Sequence, residues 1–194
     1  MPGARIVIED YSPVWASAFG QLKKIYLTHL GPLIIDVQHV GSTAVPGLAA
    51  KPIIDIDLVI RDSGVLEPVI RKLEWLGYDH QGDLGITDRA SFRRRSVQVP
   101  YDGSSGTWPE HNLYVCPSGS ISLKNHIALR DFLRNNPEKA RAYGELKKAL
   151  ALEDPFNINL YVERKTPFIT AILKDVGFND QAIDSITREN NVNK

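Results

Sequence analysis

Polar and apolar residues alternate along the segment IDIDLVI at positions 54–60. In a β-strand this alternation places Asp55 and Asp57 on one face and the side chains of Ile54, Ile56, Leu58 and Ile60 on the other. An apolar run at 33–40 predicts an earlier strand, and the small, proline-containing stretch 45–52 is too broken for a long helix. The pattern therefore predicts two strands joined by a turn, with a pair of carboxylates on one strand face.

Helical spacing dominates much of the remaining chain. Apolar residues recur every three or four positions after Ser12 and Pro13, which favour a helix start, and again at 65–76. The stretch 79–90 is expected to be a loop or hairpin, with further strands at 91–99 and 111–116. From residue 120 onwards the pattern is helical, and the expected helices are 121–134, one that ends before Pro155, one at 158–176 with a kink or break at Pro167, and a short one near 180–187.

We predict an α+β fold in which a mixed β-sheet is flanked by helices and followed by a helical C-terminal part. A chain of 194 residues with 43% hydrophobic residues suits a single domain with a sizeable core. The composition changes near residue 118, so the expected domain, 1–194, consists of an α/β core at 1–118 and a helical part at 119–194 packed on it. A cleft is expected between the two parts.

Charge and cysteine content narrow the range of partners and compartments. The chain has 23 Lys and Arg residues against 23 Asp and Glu residues, and this net charge of zero makes nucleic acid an unfavoured partner. No stretch approaches the roughly 20 apolar residues of a membrane span, so no membrane partner is expected. The single cysteine, Cys116, excludes an intramolecular disulfide and fits a reducing compartment. We expect a cytoplasmic protein, and the sequence leaves its oligomeric state open.

Asp55 and Asp57 are candidates for holding a metal ion. Two positions apart on one strand, their Cα atoms lie roughly 6–7 Å apart, which lets both carboxylates reach one Mg²⁺ or one each of two ions. A cation would also remove the repulsion between two like charges on one face. A solvated strand face explains the same pattern without a metal, and the alternation alone does not separate the two interpretations.

A turn of small residues precedes the acidic strand. Gly41 allows backbone N–H groups to approach an anion closely, and Ser42 adds a hydroxyl group. The turn is not a Walker A loop, because Gly47 is followed by leucine rather than by lysine and then serine or threonine. Lys51, a few residues before the acids, can meet either a phosphate or Asp55.

The later strands supply further candidates, each with two interpretations. Arg93 and Arg95 share one strand face and can clamp a triphosphate, or they can protect an exposed sheet edge by their charge. His111, at the start of the strand expected at 111–116, can act as a general base or be a core histidine. The glycine- and serine-containing stretch 100–110 is the best candidate for a mobile loop over the site.

Three polar pairs in the helical part have i, i+4 spacing, so that each pair shares a helix face. Facing the acids, the pairs would provide positive charge and ring surface for the phosphates and base of a nucleotide. Facing outward, they would be ordinary solvated positions. The pairs are Arg130 with Arg134, Tyr143 with Lys147, and Tyr161 with Lys165.

The run HVGSTAVPGLAAKPIIDIDLVI at 39–60 resembles the signature of the GrpB-like family, within the nucleotidyltransferase superfamily that includes polymerase beta. The segments HNLYVCPSGS at 111–120 and LRDFLRNNP at 129–137 are similar to the same family. The resemblance implies a nucleotidyltransferase-like fold with a nucleotide and metal site, and it implies that Tyr161 and Lys165 face that site. In this superfamily a third carboxylate commonly comes from a later strand, whereas the strand expected at the start of HNLYVCPSGS contains none.

The leading hypothesis is a metal-dependent nucleotidyltransferase that transfers a nucleotidyl group from a nucleoside triphosphate to an unknown acceptor. Asp55 and Asp57 would hold Mg²⁺, and His111 is a further catalytic candidate. The alternative is a non-catalytic module of the same fold that binds a nucleotide or another phosphate-bearing small molecule, and the missing third acid supports it. The residues expected to bind the phosphates or the nucleotide are Gly41, Ser42, Lys51, Arg93, Arg95, Arg130, Lys147, Tyr161 and Lys165.

Overall fold

A computed structural model describes residues 4–191, so residues 1–3 and 192–194 of the expected single domain lie outside the described range. Within that range the chain forms one five-stranded sheet and six α-helices, the α+β architecture that the hydrophobic pattern predicted. Among these helices, none combines the length and the apolar character that a membrane crossing requires. The strands are β1 (Asp36–Val40), β2 (Ile54–Ile60), β3 (Tyr78–His80), β4 (Ala90–Arg94) and β5 (His111–Pro117), and the helices are α1 (Pro13–Leu30), α2 (Leu66–Trp75), α3 (Ile121–Asn135), α4 (Pro137–Glu153), α5 (Ile158–Asp175) and α6 (Asp180–Glu189).

The sheet is mixed and has the strand order β1-β2-β5-β4-β3. β2 and β5 are parallel, and the remaining neighbours are antiparallel. In this register Asp55 lies between Val40 of β1 and Asn112 of β5, while Asp57 lies beside Tyr114 of β5. The two acids therefore occupy the interior of the sheet, on a strand with a neighbour on each side.

The two faces of β2 contact different helices. The aliphatic side chains between the acids, such as Ile56, are fully buried in a core formed with α1 and α2. The acid-bearing face is covered by α3, where Leu123 packs against Val59 of β2 and Cys116 of β5. Helices α4, α5 and α6 complete a helical layer beside α3. The acid face of the sheet therefore looks toward the helical part of the chain.

Local sequence signals define most helix ends. The hydroxyl of Ser12 caps α1 and that of Ser120 caps α3, each accepting a hydrogen bond from a backbone N–H group of the first turn. Pro167 does not break α5, which continues as one helix through this exposed position. Water can reach the backbone carbonyl that proline leaves without a donor there, so the helix tolerates it.

The strand boundaries differ from the sequence prediction in two places. β1 begins at Asp36 rather than near residue 33, because Gly31–Leu33 forms a 3₁₀ turn after α1. β4 ends at Arg94 rather than near residue 99, and it pairs with the short edge strand β3. The predicted loop or hairpin at 79–90 is therefore a hairpin in which a long loop, 81–89, joins β3 to β4.

The segment 100–110 does not lie over the acids. Trp108 packs against the core formed with α1 and α2, and its indole N–H donates to the carbonyl of Pro100 at 3.2 Å. The backbone N–H of Tyr101 donates to the carbonyl of Leu76, directly after α2. The prediction of a loop over the site at 100–110 is therefore wrong. The loop between β3 and β4 approaches the acid face instead.

Candidate functional site

The turn after β1 meets the first acid of β2. Gly41 follows Val40, which pairs with Asp55 across the sheet, and the backbone of Gly41 has a φ of 69°. A β-carbon on Gly41 would lie 2.1 Å from Oδ2 of Asp55, so a larger residue would displace the carboxylate. The other oxygen, Oδ1, accepts a hydrogen bond of 2.8 Å from Nδ2 of Asn112. Burial raises the pKa of Asp55, and the bond from Asn112 opposes that rise.

Asp57 is fully buried and is covered by α3. Its Oδ2 atom lies 2.8 Å from Nδ1 of His126. Burial alone would lower the pKa of His126, but the charge of Asp57 and its hydrogen bond outweigh this effect and raise that pKa. The second oxygen, Oδ1, is buried and has no hydrogen-bond partner among the described residues. Asp57 therefore has one paired oxygen and one unpaired oxygen.

Helix α4 brings a buried lysine to the turn. Lys147 is 2% exposed, and its Nζ atom donates to Oγ of Ser42 at 2.8 Å and to the carbonyl oxygen of Ala49. Burial and the nearby charge of Lys165 lower the pKa of Lys147 to about 7. The amine thus fixes the Ser42 hydroxyl and, when protonated, places a positive charge near Asp55.

Helix α5 adds a second lysine. Nζ of Lys165 lies 4.4 Å from the centre of the Tyr161 ring, a cation–π contact. Lys165 forms no hydrogen bond or ion pair within residues 4–191, so its ammonium group is available to a ligand. Burial lowers the pKa of Lys165 to about 8, although the charge of Asp55 opposes this lowering. The pair Tyr161 and Lys165 therefore faces the acids.

Two adjoining cavities form a cleft on the acid face, and they share Ser42, Asp55, Tyr114, Val162 and Lys165. The cleft brings together most of the residues that the sequence singled out. The lysine cavity, of about 260 Å³, is lined by Ser42, Lys51, Asp55, Asn112, Lys147, Tyr161 and Lys165. The helix cavity, of about 320 Å³, extends toward α6 and is lined by Gly41, Ser42, Asp55, Arg89, Tyr114, His126, Arg130, Lys165 and residues of α6.

Arg130 reaches the cleft but is held by protein groups. Its Nη1 atom donates to Oε1 of Gln38 at 2.5 Å and to the carbonyl of His39 at 3.0 Å. One turn later, Nε of Arg134 donates to the carbonyl of Ala44 at 2.9 Å. This i, i+4 pair therefore faces the turn and fixes it against α3, which positions Gly41 and Ser42.

The sequence is similar to that of known proteins over most of its length. The model of the GrpB protein family matches residues 5–175. The chain belongs to the GrpB family. The residues of the lysine cavity lie inside the matched range, whereas α6 lies after it.

Individual relatives cover different shares of their own length. The UPF0157 protein YqkA of Bacillus subtilis is 32% identical over 168 residues, which cover 87% of this chain and 46% of YqkA. A UPF0157 protein of Halalkalibacterium halodurans is 33% identical over 171 residues, 88% of this chain and 82% of that protein. The crystal structure of the conserved protein GrpB from Enterococcus faecalis is similar with a TM-score of 0.73 and 29% identity, over 92% of this chain and 98% of that one. This GrpB-family chain thus spans about half the length of YqkA and nearly all of the Enterococcus protein.

His111 lies outside the cleft of this GrpB-family chain. It is 3% exposed, with Nε2 2.6 Å from the hydroxyl of Tyr78 and Nδ1 2.8 Å from the carbonyl of Pro109. Its position in β5 turns the side chain to the α1–α2 face, opposite the acids. Burial lowers the pKa of His111 to about 4. His111 is therefore a core histidine, and the hypothesis that it serves the acids as a base is corrected.

The two arginines of the β4 region also lie away from the cleft. Both pair with Asp79 of β3: Nη2 of Arg93 lies 3.4 Å from Oδ2, and Nε of Arg95 lies 2.8 Å from Oδ1. β3 is an edge strand, so this cluster protects a sheet edge, the second of the two interpretations. The hypothesis of a triphosphate clamp by Arg93 and Arg95 is corrected, because their charges are paired three strands from β2.

Among the cleft residues that were not anticipated from the sequence are Asn112, Tyr114, His126 and Arg89. Alternation in β5 places Asn112 and Tyr114 on one face, but only the parallel pairing with β2 turns that face toward the acids. His126 has i, i+4 spacing to the predicted arginine pair, and this spacing could have included it. Arg89, whose guanidinium carbon lies 4.2 Å from the centre of the Tyr114 ring, comes from an irregular loop and has no sequence signal.

The acid face offers two carboxylates to a cation. No group of three or more His, Cys, Asp or Glu residues suited to a metal occurs in the described part of the chain. Beside the acids stands an amide, Asn112, rather than a third carboxylate. Asp55 and Asp57 nevertheless fit Mg²⁺, because this ion is usually held by one or two carboxylates and completed by water and phosphate oxygens. The unpartnered Oδ1 of Asp57 is a further reason, since a cation would satisfy it.

Proposed function

We propose that the chain is a metal-dependent nucleotidyltransferase, which binds a nucleoside triphosphate in the cleft and transfers its nucleotidyl group to an acceptor. The observation that carries this proposal is the convergence of Asp55 from β2, Lys147 from α4 and Lys165 from α5 on one cavity. A polyphosphate accompanied by Mg²⁺ needs cationic groups for its oxygens and carboxylates for the ion. The lysine cavity offers both kinds of group in one space.

The lysines are suited to binding phosphate oxygens. The ammonium group of Lys165 has no hydrogen-bond or ion-pair partner in the described chain, and Lys51 lines the same cavity. Because the pKa of Lys147 is lowered to about 7 and that of Lys165 to about 8, an arriving polyanion would favour their protonated forms. Ser42, fixed by Lys147, adds a hydroxyl donor at the same end of the cavity. The charge of the ligand would then pair with charges that are otherwise costly to bury.

Asp55 and Asp57 would hold Mg²⁺ beside the phosphates. Each carboxylate has one oxygen occupied by a neighbouring side chain, Oδ1 of Asp55 by Asn112 and Oδ2 of Asp57 by His126. These bonds orient the acids and leave one oxygen of each for the ion. Asp57 lines neither cavity, so Asp55 would be the ligand nearer the substrate. When bound, the ion would neutralise phosphate charge and orient the reacting phosphoryl group.

In the transfer an acceptor hydroxyl would attack the α-phosphorus and release its proton to solvent water. A bond forms from the acceptor oxygen to the α-phosphorus, and the bond from the α-phosphorus to the oxygen that bridges to the β-phosphate breaks. Pyrophosphate leaves with the electron pair of the broken bond. Lys147 and Lys165 would stabilise the negative charge that develops on this leaving group, because they line the cavity beside Asp55. The residues of the chain thus act by positioning and by electrostatic stabilisation.

A second function is favoured by one observation. The position beside Asp55 on β5 is Asn112, and an amide does not accept the proton of an acceptor hydroxyl. A chain without a base at this position would bind the nucleotide without turning it over. The second candidate is therefore a non-catalytic module that binds a nucleotide or another phosphate-bearing small molecule in the same cleft.

One experiment tests both candidates. Nucleoside triphosphates labelled at the α-phosphate are incubated with the protein, Mg²⁺ and fractionated cell extract, and label transfer is followed. Binding of non-hydrolysable analogues is measured in parallel by calorimetry. Asp55→Asn and Lys165→Met are compared with the control Lys148→Met, which removes a half-buried lysine next to Lys147 on α4 that pairs with Asp10 and Glu145 and lines neither cavity.

Transfer that is lost in Asp55→Asn and retained in Lys148→Met supports the enzyme. Binding that is weakened in Lys165→Met, with no transfer by the unaltered protein, supports the module. The proposal of a phosphate-binding cleft is overturned if no triphosphate binds, or if binding is the same in all variants.

A further inference from the structure

The helix cavity continues from the acids to a second, distant group of polar residues. It is lined by Gly41, Ser42 and Asp55 on the side of the sheet and also by residues of α6. The family match ends at residue 175, so α6 adds residues to the cleft from outside the matched range. The polar residues that α6 and its C-cap contribute to the cavity, here called the α6 end, are Ser185, Glu189 and Asn190.

Glu189 is the chemically distinctive residue of the α6 end. It is half-buried, and its Oε1 atom accepts a hydrogen bond from the hydroxyl of Ser185 at 3.3 Å. Within residues 4–191 it forms no ion pair with Lys, Arg or His, whereas Asp180 at the start of the same helix pairs with Lys174. An ionised carboxylate only accepts hydrogen bonds, and it has two oxygens to offer. Glu189 is therefore suited to a ligand group that donates hydrogen bonds.

Apolar side chains of three helices also line the cavity. They are Leu129 of α3, Ile169 of α5 and Ile186 of α6. Leu129 also packs with Ile169 and Ile186 in one hydrophobic cluster, which keeps the three helices together. A flat ring between apolar walls, with hydrogen-bonding groups at its edge, is the usual setting for a bound nucleobase.

This inference rests on the proposed function: we propose that the α6 end holds the base of the nucleotide and that Glu189 selects guanine. The Watson–Crick edge of guanine presents two adjacent donors, the ring N1–H and the N2 amino group, which match the two oxygens of a carboxylate. Adenine and cytosine present one donor next to one acceptor, and uracil presents one donor between two acceptors. An acceptor facing Glu189 would be left unpaired, so these bases bind less well.

The test compares GTP, ITP, ATP and UTP, as non-hydrolysable analogues with Mg²⁺, by calorimetry on the full chain. GTP is expected to bind roughly 10- to 100-fold more tightly than ATP, the range of one bidentate contact to a base. ITP lacks the N2 amino group and is expected to lose most of this advantage. Glu189→Gln offers one acceptor and one donor, which match adenine, so it should reduce the preference for GTP or reverse it in favour of ATP.

The matched control is Asp184→Asn, which removes a negative charge from the same helix at an exposed position outside the cleft. It is expected to keep the preference of the unaltered protein, and circular dichroism of both variants checks that α6 remains folded. Equal affinity for GTP and ATP in the unaltered protein, or a GTP preference unchanged in Glu189→Gln, overturns the assignment of guanine. Base-indifferent binding that still depends on Asp55 and Lys165 refutes this inference alone, whereas absence of all triphosphate binding refutes the proposed function with it.

Discussion

Gly41 and Asp55 occupy adjoining space, so close that a β-carbon on the glycine would lie 2.1 Å from Oδ2 of the carboxylate. The contact arises because Val40, the residue before Gly41, pairs directly with Asp55 in the antiparallel register of β1 and β2. The turn that would meet phosphates and the acid that would hold the cation are therefore one structural unit. Neither can be changed without affecting the other.

Comparison of Gly41→Ala with Gly47→Ala distinguishes the effect of this contact from the effect of backbone strain alone. Gly47 also has a positive φ, of 80°, but a β-carbon there would meet nothing within 4 Å. Gly47→Ala is expected to cost roughly 1–2 kcal/mol of the free energy of unfolding, from the left-handed backbone alone. Gly41→Ala adds a displacement of Asp55, so it should cost more in urea unfolding and weaken triphosphate binding. Equal effects of the two substitutions would show that the contact has no consequence.

Strand alternation was enough to predict the pair of acids. In a strand the parity of a position decides its face, so the sequence IDIDLVI determines that Asp55 and Asp57 share one side whatever the rest of the fold does. The same logic separated Asn112 from His111. It could not decide which of the two faces of β5 is functional, because that depends on the pairing of β5 with β2 across more than 50 residues of chain.

The helical half was less predictable for a different reason. Spacing of i, i+4 shows that two residues share a face, but the rotation of the helix about its axis is set by packing. On α4, packing turns Lys147 inward, where it contacts Ser42, while the next residue, Lys148, pairs with Asp10. Arg93 was misassigned because its partner Asp79 lies in an edge strand that the sequence indicated only as a loop or hairpin.

Lys147→Met is expected to abolish triphosphate binding while leaving the protein at least as stable at pH 6. The folded state lowers the pKa of Lys147 to about 7, against about 10.4 in the unfolded chain. Between these values the unfolded state holds the extra proton, so the free energy of unfolding of the unaltered protein should rise as the pH increases from about 7 to about 10. The rise should be smaller in Lys147→Met, where Lys165, with its pKa lowered to about 8, still contributes to it and His126, with its raised pKa, opposes it. Identical slopes in chemical denaturation at pH 7, 8 and 9 would contradict the assignment.

Tyr78→Phe tests the separation of His111 from the cleft. The hydroxyl of Tyr78 lies 2.6 Å from that of Tyr26 and 2.6 Å from Nε2 of His111, all three buried on the α1–α2 face. Its removal leaves buried polar atoms without a partner, at a cost of about 1–3 kcal/mol in the free energy of unfolding. Triphosphate binding should be unchanged. Tyr101→Phe is the control, because it removes an exposed hydroxyl and should cost little stability. A loss of triphosphate binding in Tyr78→Phe would indicate that His111 contributes to the site.

The substitution Asn112→Asp tests whether the acid face binds a divalent cation. The change replaces the donor that lies 2.8 Å from Oδ1 of Asp55 with a third carboxylate on the acid face, carried by the neighbouring parallel strand. In the presence of EDTA the variant should lose about 1–3 kcal/mol of unfolding free energy, and the pKa of Asp55, already raised by burial, should rise further.

Asn112→Ala is the matched control, because it removes the same hydrogen bond without adding a charge. Addition of Mg²⁺ should restore much of the stability of Asn112→Asp, since the ion would then be held by three carboxylates, and should do little for Asn112→Ala. Thermal unfolding with and without Mg²⁺ makes this comparison. If Mg²⁺ stabilises neither variant, the acids do not hold this ion, and the cleft would have to bind its phosphates through Lys147 and Lys165 alone, as the non-catalytic module would.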